Sequence, residues 1–302
     1  MSSLNTQQRC AELIRQMQLP DSFHDIVADI YLPLCEIIVQ HKKQQPLLVS
    51  INGAQGTGKS TMTTFLKNII ESEMQCLVAE LSIDDFYSER EKRMQLADEV
   101  HPLFATRGVP GTHDIDLIEQ VLDSLMNRQA CRIPRFNKAT DDREAESAWS
   151  DCSQPVEVIL FEGWCNSSPA QSAQELEHPV NTLEENEDPQ GIWRRHVNQQ
   201  LIDYRQRFFD HADMCIMLKA PDFEHIYEWR SLQEQKLASS SEHLEQNKVM
   251  NDTELQRFIQ HYERISRHTL EHLPALADVV LPVAADHSIT GIVQKDIQAD
   301  GE

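Results

Sequence analysis

The chain has 302 residues, enough for one large α/β domain or two small ones, and its 40% hydrophobic and 25% charged content are those of a folded globular protein. A formal net charge of −22 argues against nucleic acid or an anionic membrane as a partner. The first residues, MSSLNTQQRCAELIRQ, hold no apolar core of a secretory signal, and no run approaches the ~20 apolar residues of a membrane span. The seven cysteines are scattered without a C-x-x-C pair, so the expectation is a cytoplasmic protein with reduced, structural thiols.

In chain order, residues 1–45 are expected to form a helical extension. Phe23, Ile26, Val27, Ile30, Leu34, Ile37 and Ile38 fall at helical spacing, with a kink at Pro33. PLLVSI (46–51) is a short apolar run suited to a buried parallel strand, and STMTTFLKNII (60–70) places Met62, Phe65, Leu66 and Ile69 on one helix face. Between them lies Gly53-Ala54-Gln55-Gly56-Thr57-Gly58-Lys59-Ser60-Thr61, which fits G-x-x-x-x-G-K-[ST] at every fixed position. A chain of this size meets that pattern by accident about one time in a hundred, and three of only nine glycines sit in it. Strand, glycine-rich turn and helix is the context in which backbone N–H groups cradle phosphate oxygens. Lys59 is then expected to reach the β and γ phosphates of a nucleotide and Ser60 to hold Mg²⁺.

Further strands are expected at 76–84, 156–164, 213–220 and 278–284, alternating with helices at 116–129, 193–209, 222–237 and 254–273. Residues 166–193 are polar and acidic with three prolines and read as an insertion or long loop. Residues 222–250 read as a lid region whose end, ASSSEHLEQNKVMN, has the composition of a mobile segment. The division is therefore a helical extension (1–45), a main domain (46–290) and a tail (291–302). Apolar strands alternating with helices imply a parallel sheet covered on both faces. His261, His268 and His272 read as solvated helix positions rather than metal ligands, and Trp164 and Trp229 as packing residues.

Ligands of such sheets bind beyond the carboxyl ends of the strands, which makes three places informative. They are the loop from Gly53, the pair Asp84-Asp85 in SIDDFY, and Glu162 in FEGW. Phosphoryl transfer needs a phosphate clamp, a metal and a group that orients the acceptor hydroxyl. One carboxylate of SIDDFY can take the hydroxyl proton, and Glu162 stands where an acid would bind or position Mg²⁺. Arg132, Arg135, Lys138 and Arg143 crowd into RIPRFNKATDDR in an otherwise acidic chain, with Arg107 upstream in RGVPGTHD. Guanidinium forks suit carboxylate or phosphate, so the acceptor is expected to be a small anionic molecule, with Arg135 as its first contact and Arg107 second. A GTPase does not fit, because Thr140 stands where N-K-x-D needs an acid. A nucleotide-binding regulator without chemistry would keep the loop but would need no base.

The phosphate loop, SIDDFY, RGVPGTHD, IPRFNK and FEGW, in this order, resemble the uridine kinase–phosphoribulokinase–pantothenate kinase group of P-loop kinases. IPRFNKATDDR, NTLEENEDPQGIWR, EWRSLQEQ and ADVVLPVAADHSI resemble its D-glycerate 3-kinase branch, the likeness spanning residues 48–290. The resemblance implies a three-layer α/β P-loop NTPase fold with a five-stranded parallel sheet, an N-terminal helical extension and a helical lid. It implies Mg·ATP as donor, with adenine near ADVVLPVAADHSI, and D-glycerate as acceptor; uridine, pantothenate or a sugar phosphate are the alternatives. It suggests Asp84 as catalytic base with Asp85 beside it, Glu162 as metal-linked acid and Arg230 as the lid arginine. Tyr87, Arg107, His113, Asp114, Arg135 and Lys138 would line the acceptor site. The segment NKATDD is shorter than its counterpart in the plant-type enzymes, and ASSSEHLEQNK carries no arginine.

Overall fold

The structure, a computed structural model, describes residues 6–240 and 250–295, with side chains at 6–233 and 250–295. Most of the segment 241–250, the first five residues and the end of the tail lie outside it.

The core is a six-stranded sheet built on β1 (Leu47–Gly53), which is buried at every residue. The other members are β2 (Val78–Ser82), β7 (Val158–Gly163), β8 (Met214–Lys219), β9 (Val279–Pro282) and β10 (Val293–Gln294), in the order β10-β9-β8-β1-β7-β2. Five strands run parallel, as expected. The sixth, β10, pairs antiparallel with β9 and falls in what the sequence presents as tail; two residues, one of them a half-exposed valine, leave no periodic signal to read. Both faces are covered. Leu47, Val49 and Ile51 join one apolar cluster while Leu48 joins the other, and Val158 and Leu160 alternate likewise with Ile159 and Phe161.

The first face is covered by α4 (Lys59–Glu73), by α9 (Phe223–Ser240) and by the N-terminal helices α1 (Thr6–Gln16), α2 (Phe23–Ile26) and α3 (Leu32–Gln40). Phe23, Tyr31 and Phe65 meet at ring separations of 5.3 to 5.9 Å, so the extension shares its core with the sheet. Between α2 and α3, residues Val27–Tyr31 form a π-helical turn, and the Leu32 N–H reaches back to the Val27 carbonyl. The wider turn accommodates Pro33, which has no N–H and whose ring would crowd the carbonyl four residues back.

The second face is covered by α6 (Ile115–Met126), α8 (Ile192–Arg207) and part of α10 (Asp252–His272). Residues 166–193 are held firmly: Asn166 and Ser168 are fully buried and α7 (Thr182–Glu187) forms within the segment. Two buried ion pairs fasten it, Arg264 to Glu184 (2.6 Å) and Arg194 to Asp188 (3.2 Å). Of the three histidines of α10, His272 is exposed as expected and the other two depart from expectation. His261 and His268 are buried, and burial pulls His261 down to about 4, so it is neutral and packs edge-on against Trp193. The apolar stripe of α10 is wide enough to include them. Two short ribbons complete the fold, β3 (Cys131–Ile133) with β6 (Ser150–Cys152), and β4 (Phe136–Asn137) with β5 (Asp142–Arg143). The short helix α5 (Arg90–Glu99) packs beside them. All seven cysteines are free thiols, and no helix among the described residues is long and apolar enough to cross a membrane.

Candidate active site

The phosphate loop takes its shape from two glycines. Gly56 and Gly58 both sit at φ +85°, a left-handed conformation that L side chains rarely adopt. Thr57 stays inside the turn, its hydroxyl donating to the Ala54 carbonyl (2.7 Å). Helix α4 starts at Lys59 behind Gly58, with no side chain capping its first turn. Its open N–H groups and the positive end of the helix dipole therefore face the loop.

Gln55, Gly56, Gly58, Lys59, Ser60 and Thr61 form one wall of a cavity of about 460 Å³. The rest of the lining brings together Asp84, Tyr87, Arg107, Lys138, Trp164 and Arg230, side chains that are up to 146 positions apart in the chain (84 to 230). At its floor the Ser60 hydroxyl donates to Glu162 Oε1 (2.7 Å). Glu162 Oε2 is buried without a hydrogen-bond partner, 3.9 Å from Lys59 Nζ. A hydroxyl and an unsatisfied carboxylate oxygen at a phosphate loop are hard donors of the kind that suits Mg²⁺.

The acidic pair divides. Residues Ile83–Phe86 form a single 3₁₀ turn after β2, so consecutive side chains leave in different directions. Asp84 faces the cavity: Tyr87 donates to Oδ1 (2.9 Å) and Lys138 to Oδ2 (2.9 Å). Burial pushes its carboxyl up, but Lys138 and Lys59 outweigh that and hold it at about 2. Asp85 turns away and accepts from Arg135 (2.8 Å) and the Phe136 N–H (3.2 Å); burial pushes it up.

The basic residues sort in the same way. Arg107 and Lys138 border the cavity. Arg135, expected as the first acceptor contact, does not: beyond its bond to Asp85 it donates to Ser150 and lines a separate cleft of about 290 Å³ at the edge of β2. Arg143 is tied to the Tyr87 carbonyl and to Asp114 (both 2.9 Å). Asp114 itself caps α6, accepting from the Leu117 N–H. His113 stands behind Tyr87 rather than in the cavity wall, stacked on its ring at 4.6 Å and sharing a hydrogen bond with the Tyr204 hydroxyl (2.9 Å). Burial pulls it down to about 3, so it is neutral and supports Tyr87 without presenting charge. Arg230, on α9, donates to Gln233 (2.9 Å) and lies 5.7 Å over the Phe258 ring.

Several contributors carry no signal in the sequence. Trp164 donates to the Gly108 carbonyl (2.9 Å) and meets Tyr262 edge-on at 4.8 Å. Tyr262 is one of the apolar-face residues of α10, and its hydroxyl donates to the Arg107 carbonyl (3.1 Å). Trp229 packs against Gly56 and donates to the Ala285 carbonyl (3.0 Å), joining the loop to α9. Asp141 and the buried Arg93 flank Arg107. Together the cavity sets an ionised carboxylate and three cations, Arg107, Lys138 and Arg230, beside a phosphate cradle, an arrangement that can orient a hydroxyl against a terminal phosphate.

The chain is similar to several known proteins. The sequence model of the Phosphoribulokinase / Uridine kinase family matches residues 48–170. The chain is 30% identical over 228 residues to the "Uncharacterized kinase mug58" of Schizosaccharomyces pombe, covering 72% of this chain and 79% of that one. It is 26% identical over 227 residues to the chloroplastic D-glycerate 3-kinase of Arabidopsis thaliana, covering 72% of this chain but 46% of the plant protein. Among solved structures, a D-glycerate 3-kinase from Cryptococcus neoformans superposes with a TM-score of 0.72 at 22% identity, over 88% of this chain and 99% of that one, and shares the fold.

Proposed function

The chain belongs to the phosphoribulokinase/uridine kinase family and is an ATP-dependent small-molecule kinase, and on that premise we propose that its acceptor is D-glycerate, phosphorylated on a hydroxyl to phosphoglycerate. The observation that carries this reading is the shared cavity: Asp84 for the hydroxyl and Arg107 with Lys138 for a carboxylate, all facing the phosphate loop. A small hydroxy acid needs both within one short molecule. Arg107 rather than Arg135 is the proposed carboxylate contact, because only Arg107 borders the cavity.

In this reading Asp84 orients the acceptor hydroxyl. Its oxygen bonds to the γ-phosphorus as the bond to the ADP oxygen breaks, and its proton passes to Asp84. Because transfer is loose, the proton leaves late, and a carboxylate held ionised near 2 serves chiefly by position. Lys59 and Arg230, which both line the cavity, meet the charge on the moving phosphoryl group. Mg²⁺ held through Ser60 and Glu162 would neutralise the β and γ phosphates. Helix α9 serves as the lid helix in this reading, most of the rest of the expected lid region lying outside the described residues, and the free thiols fit a reducing, cytoplasmic setting.

The test is incubation with Mg·ATP and D-glycerate, with the product identified by NMR. Phosphoglycerate is expected, and Asp84→Asn should lower kcat by ~10²–10⁴-fold with ATP binding retained. No phosphoglycerate, together with turnover of uridine or pantothenate, moves the assignment to that acceptor.

A further inference from the structure

Asp141 pairs with two arginines near the acceptor side of the cavity, Arg93 and Arg107. Its Oδ1 pairs with Arg107 Nη1, and its Oδ2 lies 3.0 Å from Arg93 Nη2 in a second ion pair. Its carbonyl oxygen also accepts from Arg93 Nη2 (2.6 Å). Arg93 is 1% exposed, among the largest fully buried side chains, and its Nε donates to the Ser88 carbonyl (3.1 Å). Both guanidinium groups lie over the Phe136 ring, at 5.8 Å for Arg93 and 5.5 Å for Arg107. The Arg107 backbone is tied down as well, through the Tyr262 hydroxyl on its carbonyl. Asp141 achieves this from φ +57°, a conformation uncommon outside glycine but tolerated by aspartate and asparagine.

A buried arginine ordinarily needs a counter-ion. Asp141 supplies it, yet the same carboxylate is shared outward with Arg107. Arg93 therefore fixes Asp141, and Asp141 in turn fixes Arg107, whose face rests on Phe136 and whose side chain borders the cavity. Two positive groups against one negative leave this triad with a single surplus positive charge.

We propose that Asp141 is a positioning residue that holds the Arg107 guanidinium in the orientation that receives the acceptor's anionic group, with Arg93 as its buried anchor. The proposal rests on the reading of the acceptor as a small hydroxy acid. Pre-orienting the fork removes the rotamer entropy that a free arginine loses on binding. It also ties selectivity to one negative charge at a set distance from the reacting hydroxyl.

The test is Asp141→Asn, which keeps the shape and tolerates the same backbone conformation while removing the charge. Two effects oppose each other. Losing a carboxylate makes the wall more positive, which by Coulomb attraction alone would lower KM for an anion. Losing the clamp misaims the fork, which raises it. KM for D-glycerate is expected to rise at least ~10-fold, the scale of a misaimed charged hydrogen bond, with kcat and KM for ATP within about twofold of wild type. In an Arg107→Met background the same substitution should change KM for D-glycerate no further. A lowered or unchanged KM, or parallel losses in kcat and ATP affinity, overturns the proposal. If Asp141→Asn does not fold, Asp141→Glu decides: it keeps the charge beside Arg93 but displaces the carboxylate, and must raise KM for D-glycerate with kcat retained. Wild-type enzyme that fails to phosphorylate D-glycerate overturns the acceptor reading and this proposal together; wild-type turnover with an insensitive Asp141→Asn overturns this proposal alone.

Discussion

Replacing Gly56 by alanine separates the conformational cost of the phosphate loop from its packing against the lid helix. Gly56 sits at φ +85°, where an alanine costs ~1–2 kcal/mol. Its new Cβ would also lie 2.7 Å from Trp229 Cβ, closer than real carbon contacts come. Trp229 cannot swing aside. It is buried, its indole N–H is held by the Ala285 carbonyl, and its ring packs at 4.6 Å against His287, whose Nδ1 lies 3.0 Å from the Gly56 carbonyl. Overpacking of such a site costs a further ~1–3 kcal/mol, for a sum of ~2–5 kcal/mol. Gly58 provides the control, with the same φ of +85° but no atom within 4 Å of an added Cβ, so Gly58→Ala carries the ~1–2 kcal/mol alone. At ~2–4 °C per kcal/mol for a chain of this order, Tm should fall by ~2–8 °C for Gly58→Ala and ~4–20 °C for Gly56→Ala. The assay is thermal unfolding without nucleotide, because phosphates would contact both positions. Equal midpoints, or a larger drop for Gly58→Ala, would refute the contact between loop and α9. Because Arg230 follows Trp229 on that helix, Gly56→Ala should also lower kcat, whereas Gly58→Ala should act mainly on ATP binding.

Lys59→Ala removes the cation beside Glu162 and should lower turnover by at least ~10²-fold; normal turnover would refute the role of the phosphate loop in chemistry. Lys138→Met should alter the acid limb of the pH–rate profile. Asp84 acts ionised, so activity is lost as pH falls through its pKa; with Lys138 in place that point is about 2, and without it burial is less opposed and the limb moves upward. Profiles measured from about pH 4 to neutrality that superpose for the two proteins would exclude the ion pair as the cause. Arg264→Met should cost ~3–5 kcal/mol, measured by denaturant unfolding, because Glu184 is fully buried and would lose both of its guanidinium bonds. Adding Glu184→Leu to Arg264→Met should restore part of the loss, and a double variant less stable than the single one would refute the account.

What the sequence by itself determined lies along short stretches of backbone. Gly53 to Thr61 needs only its own glycines, the strand before it and the helix after it, so its place and chemistry are readable from eleven or so neighbouring residues. The five parallel strands are legible for a similar reason: a strand covered on both faces reads as a near-continuous apolar run, as Leu47 to Val49 and Val158 to Phe161 do, whatever packs on it. Tertiary structure alone decided which charged side chains meet. Asp84 and Asp85 are equivalent as letters, and the 3₁₀ turn that separates them takes its direction from contacts about 50 positions away, Lys138 for one and Arg135 with Phe136 for the other. The same holds for the basic cluster: nothing local distinguishes Arg107 from Arg135 until the β3–β6 ribbon draws Arg135 to Asp85 and Asp141 draws Arg107 to the cavity. Arg93, in the polar run REKRM, carries no local signal of burial, yet it is fully buried, received by Asp141 and the Ser88 carbonyl. Backbone propensity acts over a few residues, but a charge finds its partner only after the chain has closed, because the desolvation it must offset does not exist before then.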